Sequence, residues 1–252
     1  MESETAPRRR LSVLDTLRGI TLVSMILYHA AWDAVFIAGM EWEWYHGTGA
    51  FIWQQSICWT FIILSGFCLP LGRHPVRRGI EVFGAGLLVT AVTVIFMPEN
   101  RVVFGVLTLL GSCMILTGLL NRLLRKVPSG VGLLGSILLF WLTRWVSDGM
   151  IGIKGIFFLP LPQLLYKGLG MTFLGFTEPG FMSTDYFPML PWYFLFLAGY
   201  FVCRICQRMG FRGRWWTWNI PPFGWMGRHS LVIYLLHQPV LYLLTVAAEW
   251  IF

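Results

Sequence analysis

Six stretches of this chain carry no Asp, Glu, Lys or Arg: 44–72, 82–98, 102–121, 127–143, 186–203 and 229–248. A helix of about 20 apolar residues crosses roughly 30 Å of hydrocarbon, so each stretch reads as a membrane span. A seventh comes first. Residues 11–37 are apolar enough to span although they include Asp15, Arg18, His29 and Asp33. This run is too long, too rich in ionisable groups and too poor in small residues at its end to be a cleaved signal peptide. It is expected to stay as an anchor. Composition agrees: of 252 residues, 56% are apolar and 12% charged, against roughly 25% charged in soluble domains. That excludes an ordinary cytosolic globule, a disordered chain, a collagen and a disulfide scaffold.

The net charge of +7 raises the question of nucleic acid, and the placement of the Lys and Arg answers it. Fourteen of the nineteen fall in alternate connections: Arg8, Arg9 and Arg10; Arg73, Arg77 and Arg78; Arg122, Arg125 and Lys126; Arg204, Arg208, Arg212, Arg214 and Arg228. The other connections are acidic or mixed. Basic residues accumulate in cytoplasmic loops, so the pattern is membrane topology and no nucleic-acid partner is expected. The expected fold is an all-α integral membrane protein, a bundle of about seven helices with the N-terminus cytoplasmic and Phe252 outside. It is read as a single domain over 1–252, in a bacterial inner or plasma membrane. The stretch 148–187 tempts an eighth helix. Lys154, Lys167, Pro160 and Pro162 argue against it, and an eighth span would move the five-Arg loop to the wrong side. It is expected as an outer segment lying on or dipping into the membrane interface.

The five Cys sit in or at the ends of predicted spans and read as packing residues. Cys203-x-x-Cys206 has the spacing of a redox or zinc half-site, but no second pair or nearby His completes it, and no metal is expected.

Ionisable side chains inside hydrocarbon cost about 2.5–3.5 kcal/mol each on insertion scales and mark function. In the first span, Arg18 and His29 are eleven positions apart and fall within about 20° of each other on the helical wheel, with Asp15 and Asp33 within about 60° of Arg18. One polar stripe results, with Arg18 near the inner surface and His29 about 16 Å further out. Bland alternatives exist: Arg18 could snorkel to the interface with Asp15 as its ion-pair partner, and His29 could be a core His satisfied by Asp33. In the last span, His237 lies near mid-membrane with Ser230 and Tyr234 on its face. Pro239 frees the carbonyl of Leu235, to which a purely structural His237 could bond.

Three blocks carry a family resemblance. The first is Arg10-Leu11-Ser12-Val13-Leu14-Asp15-Thr16-Leu17-Arg18-Gly19-Ile20 followed by Met25 and His29. The second is Asp185-Tyr186-Phe187-Pro188-Met189-Leu190-Pro191-Trp192. The third is Gly227-Arg228-His229-Ser230-Leu231-Val232-Ile233-Tyr234-Leu235-Leu236-His237-Gln238-Pro239. Together they resemble the transmembrane acyltransferases, in particular the heparan-alpha-glucosaminide N-acetyltransferase catalytic domain and its bacterial relatives. The resemblance implies transfer of an acetyl group from cytoplasmic acetyl-CoA to an amine or hydroxyl of a sugar on the outer side. The Arg-x10-His spacing is similar to that of the wider sugar O-acyltransferases, in which that His is the catalytic candidate. In the eukaryotic enzyme the active-site His lies in the first outward connection, where this chain has His46. That enzyme also has a large luminal domain with no counterpart here, so its own acceptor is not carried over.

On this reading His29, Asp33 and His46 are the candidate catalytic residues, with His29 as general base or transient acetyl acceptor and Asp33 holding its tautomer. Arg18, Arg73, Arg77, Arg78 and Arg228 are candidates for the CoA phosphates, with His237 on the tunnel wall. Asp15, Trp32, Asp185 and Trp192 are candidates for holding the acceptor. Acetyl-CoA, a glycan acceptor and membrane lipid are the expected partners, and a homodimer stays open. An exporter of a small anion or sugar conjugate also suits a polar stripe with a basic mouth. A bis-His haem protein would leave the Arg placement unexplained, and a purely structural scaffold would leave the buried charges unexplained.

Overall fold

The computed structural model describes residues 10–251; Arg8, Arg9 and Phe252, used above for topology, lie outside the described residues. In chain order the elements are α1 (Ser12–Phe36), α2 (Thr48–Cys68), α3 (Pro75–Phe96), α4 (Val106–Leu124), α5 (Ser129–Leu142), β1 (Met150–Ile153), β2 (Phe157–Pro160), α6 (Leu169–Leu174), α7 (Met189–Arg208), α8 (Pro221–Arg228) and α9 (Ser230–Ile251). Among the described residues seven helices are long and apolar enough to cross a membrane: Ser12–Phe36, Thr48–Leu71, Pro75–Phe96, Val106–Leu124, Ser129–Asp148, Met189–Arg208 and Ser230–Ala248. The protein is an all-α helical membrane protein with the seven spans expected from its charge-free runs. Much of what α3 and α9 leave uncovered is Leu, Ile and Val, including Ile80, Leu87, Leu88, Val232 and Leu243, as lipid-facing surfaces require.

The chain forms two compact units. One runs through Phe61 and resumes at Met209; the other is Ile62–Arg208. In the first, α1 packs on α8 and α9. Two glycines permit the α1–α8 approach: a Cβ at Gly19 would collide with the Phe223 carbonyl, and one at Gly227 with the Asp15 carbonyl. The core here combines Leu22, Met25 and Ile57 with Trp53, Phe61 and Ile233, and Trp53 Nε1 donates to Ser24 Oγ at 2.8 Å.

In the second unit α3 packs on α4 and α5 on α7. The end of α2 meets α7 through a reciprocal glycine pair, since a Cβ on Gly66 would strike the Phe196 carbonyl and one on Gly199 the Ile63 carbonyl. Within α7, Leu190 is non-helical (φ −93°, ψ 132°), so the helix proper starts at Pro191, where a missing N–H costs nothing.

The segment 148–187 is no eighth span. It contains an antiparallel hairpin pairing Ile151 with Leu159 and the short α6. Side chains tie it to its own unit: Tyr166 donates to the Val146 carbonyl at 2.6 Å, Ser147 to that of Gly175 at 3.0 Å and Tyr186 to that of Thr172 at 2.6 Å. The five-Arg connection is also more than a loop, because α8 forms inside it behind Pro221 and Pro222.

Candidate active site

The polar stripe of α1 exists, and its two ends do different work. At the N-terminal end Arg10 donates to Asp15 Oδ2 from Nη2 at 2.8 Å and Nε at 3.1 Å. Arg18 Nη1 stands 3.6 Å from Asp15 Oδ1 and 3.5 Å from the Gly227 carbonyl, to which it donates. Thr16 is fully buried; it donates to Asn219 Oδ1 at 3.3 Å and accepts the Ile220 N–H at 3.2 Å. These bonds hold the guanidinium of Arg18 at the C-terminal end of α8, where Arg228 is the next residue. Arg18 is thus anchored by protein groups on a helix interface, which a simple snorkelling side chain would not be.

About 16 Å along the same helix by its rise, a second polar group forms with α9. The rings of His29 and His237 lie with centroids 4.9 Å apart and planes at 62°. His237 is 8% exposed. Its Nδ1 donates to the Tyr234 carbonyl, which can only accept, so the neutral ring carries its proton on Nδ1 and presents a bare lone pair at Nε2. That Nε2 is buried and makes no hydrogen bond. One residue on, Gln238 Nε2 donates to Asp33 Oδ1 at 2.8 Å, with Asp33 fully buried. Asp33 Oδ2 and Gln238 Oε1 have no partner. Because the carboxylate oxygen can only accept from the amide, the direction of the Gln238 amide is fixed. Tyr45 packs against Tyr28, with ring centroids 5.3 Å apart, and its hydroxyl is likewise buried without a hydrogen-bond partner. Burial first, then Tyr28, pushes its hydroxyl well above the ordinary tyrosine range, so it stays protonated.

Two sequence-based assignments change. Asp33 does not hold the His29 ring; its bonded oxygen takes the amide of Gln238, a residue 205 positions away. His237 bonds the carbonyl of Tyr234 rather than the one that Pro239 frees at Leu235. His237 also stands against His29 as a ring partner, not apart from it.

The remaining candidates are distributed. His46 is exposed, with its ring 5.8 Å from Phe36 and 6.2 Å from Tyr45. Trp32 packs on the Ala31, Tyr45 and Ala50 cluster. In the second unit, Arg73 is exposed, Arg77 pairs with Glu81 at 3.1 Å and the Arg78 guanidinium lies over Gly72. Trp192 is buried against Phe187 and Phe140, with the Arg144 guanidinium 5.2 Å from its ring centroid. Asp185 accepts the Val106 N–H at 3.0 Å and so caps α4. Burial pushes its carboxyl up to about 6, against the pull of that N–H. Among the described residues no group of three or more His, Cys, Asp or Glu side chains is placed to hold a metal ion.

Sequence reasoning did not single out Gln238, Tyr45 or Asn219 as functional. Gln238 had a readable signal, being an amide inside a charge-free span beside a His; nothing in the sequence linked Tyr45 or Asn219 to α1.

No curated protein and no solved structure matches the chain significantly. A family model, that of the heparan-alpha-glucosaminide N-acetyltransferase catalytic domain, matches residues 10–239, a range that contains the anchored Arg18, the His29–His237 pair and the Asp33–Gln238 bond. With that match over nearly its whole length and seven membrane-competent helices, the chain belongs to the heparan-alpha-glucosaminide N-acetyltransferase catalytic family of transmembrane acetyltransferases.

Proposed function

We propose that residues 1–252 act as one transmembrane domain that moves an acetyl group from cytoplasmic acetyl-CoA to a hydroxyl or amine of a sugar on the outer side. The observation that carries this reading is α1 itself, which holds an anchored guanidinium at one end and, further along, a half-buried His29 against a buried His237 whose Nε2 has no partner. Those are the needs of a donor with phosphates at one end of a long arm and a thioester at the other. Arg18 and Arg228 take phosphate oxygens and Asp15 positions Arg18; Arg73, Arg77 and Arg78, in the second unit, are separate candidate cations, each to be tested singly. Arg suits this task through its fixed fork of donors. His29 with His237 forms the base: as the acceptor attacks the thioester carbonyl, its proton passes to the pair and then to the departing thiolate. Trp32 supplies an apolar wall beside Tyr45. Asp185 and Trp192 serve packing and capping in their own unit.

The topology that this requires has the N-terminus inside and the C-terminus outside. Glu41→Cys should label from the outer side and Arg77→Cys from the inner side; labelling of both from one side would reverse the assignment. The direct test is acetyl-CoA turnover by the purified chain, followed as free thiol against a panel of sugars. Thiol release that depends on an added sugar supports the reading. Sugar or anion flux in proteoliposomes without any thiol release would instead make the protein an exporter.

A further inference from the structure

Between Met209 and His229 the chain carries three Arg, four Trp and no Asp or Glu. Arg212, Arg214 and Arg228 are all exposed, and so are Trp215, Trp218 and Trp225, at 56%, 57% and 53%. Indoles bared this densely mark an interaction surface. The fourth, Trp216, is buried against Phe211 with ring centroids 5.0 Å apart, and the Trp215 ring stacks on it at 3.8 Å. Gly213, at φ +118°, makes room beside that ring, since a Cβ there would come within 2.7 Å of it. Trp215 is therefore held in place by packing although much of it is bare.

Depth decides what the partner is. Thr16, in the second turn of α1, accepts the Ile220 N–H and donates to Asn219 Oδ1, and the close approaches at Gly19 and Gly227 lay α8 against the same turns. These contacts pin the segment within about 11 Å of the end of a membrane span by the helix rise. That is the level of the lipid headgroups, where Trp anchors and Arg meets phosphate. The acid that α1 brings to this level, Asp15, is already paired with Arg10 and Arg18, so it leaves the positive field of the segment standing.

We infer that residues 209–218 bind anionic phospholipid, its phosphodiester pairing with Arg212 and Arg214 while Trp215 and Trp218 lie among its glycerol and upper chain carbons. A zwitterionic lipid offers the same chains but sets a second cation against the two Arg. Headgroup charge, and not lipid as such, is what the segment selects.

The test titrates the full chain in detergent with dioctanoyl phosphatidylglycerol or dioctanoyl phosphatidylcholine while thermal unfolding is followed. Phosphatidylglycerol should raise the midpoint by several degrees and saturate, whereas phosphatidylcholine should need a much higher concentration. An Arg near an anionic surface strengthens binding about fivefold, so Arg212→Gln with Arg214→Gln should raise the half-saturating phosphatidylglycerol concentration roughly 20-fold and leave that of phosphatidylcholine unchanged. Arg122→Gln with Lys126→Gln removes the same charge from an exposed connection without Trp and should keep the wild-type response. Equal potency of the two lipids on the wild type, an equal loss in the Arg122 and Lys126 variant, or an equal shift by glycerol 3-phosphate, which lacks chains, overturns the inference. So does a drop in CoA affinity in the Arg212 and Arg214 variant, which would give both cations to the donor. Should that variant fail to fold, salt decides on the wild type: about 0.5 M NaCl should weaken the phosphatidylglycerol response and spare that of phosphatidylcholine, and an unweakened response would overturn the pairing with Arg.

Discussion

The two units bury polar groups on opposite terms. In Ile62–Arg208 several polar side chains close their bonds within the protein. Arg204 donates to the carbonyls of Leu124 at 2.7 Å, Arg125 at 3.0 Å and Val127 at 3.2 Å, satisfying the exposed C-terminal end of α4. Asp185 receives the Val106 N–H at its other end, and Tyr200 donates to Asn121 at 2.9 Å between them. An acid at the N-terminus and a cation at the C-terminus also complement the helix dipole. In the other unit, Asp33, Tyr45, His237 and Gln238 each keep a buried atom unused, whereas Ser129 Oγ is the one such atom in Ile62–Arg208 among the described residues. Side chains that close their hydrogen bonds hold a structure together; side chains that leave them open wait for a ligand.

If that contrast is functional, the open atoms should matter for chemistry and little for folding. His237→Ala and His29→Ala should each lower turnover by about 10²–10⁴, with acetyl-CoA affinity near wild type. Full turnover in both would remove the pair from the mechanism. His46→Ala is the comparison within the same experiment: its ring is exposed and touches only the rim of the group, and it should retain most activity. Loss of transfer in His46→Ala with transfer kept in His29→Ala would move the base to the outward connection. A step smaller, Arg18→Gln should weaken CoA binding about 10- to 150-fold, the loss of a charge-assisted contact worth roughly 1.5–3 kcal/mol. Titration of CoA by isothermal calorimetry would detect that range, and unchanged affinity would detach Arg18 from the donor.

The same contrast explains what the sequence could and could not show. The spans were legible because a charge-free run of span length has one solution in lipid, and the stripe on α1 was legible because a helix fixes which residues share a face. Partners across helices were not. A local rule paired Asp33 with His29 one turn back, but a buried carboxylate takes whichever donor the fold brings to it, here an amide from α9. Asp185 read as an acceptor contact from its place in a family block; its geometry makes it a helix cap, a role invisible without knowing that it meets Val106. The hairpin and α8 were missed because four-residue strands and an eight-residue helix among Gly, Pro and Trp carry too few positions to show a period.

In the second unit, packing substitutions away from Arg73, Arg77 and Arg78 should act through stability alone. Gly199→Val would press a side chain into the Ile63 carbonyl across the α2–α7 contact, costing about 1–3 kcal/mol as overpacking does. The midpoint of thermal unfolding in detergent should fall by several degrees, with turnover per folded molecule preserved at low temperature. An unshifted midpoint would mean that the helices separate at no cost. A folded fraction with KM for the sugar altered would erase the distinction between the units.

The smallest effect is a pH dependence at Asp185. Its carboxyl titrates near 6 in the folded chain because burial outweighs the Val106 N–H, above the roughly 3.9 of an unfolded Asp. Below about pH 4 both states are protonated and the group favours neither. Between about 4 and 6 the folded state binds the extra proton, so its relative stability falls as pH rises, and above 6 the loss is complete. A rise from about 3.9 to about 6 would amount to nearly 3 kcal/mol; with the residue partly exposed, about 1–2 kcal/mol is the expected size. Asp185→Asn keeps an oxygen for the Val106 N–H and cannot ionise. Its thermal midpoint should therefore match wild type near pH 4 and exceed it by a few degrees at pH 7, the gap opening between pH 4 and 6. A gap that is constant across that window would show that Asp185 contributes only its hydrogen bond, and that even the capped end of α4 carries no buried charge.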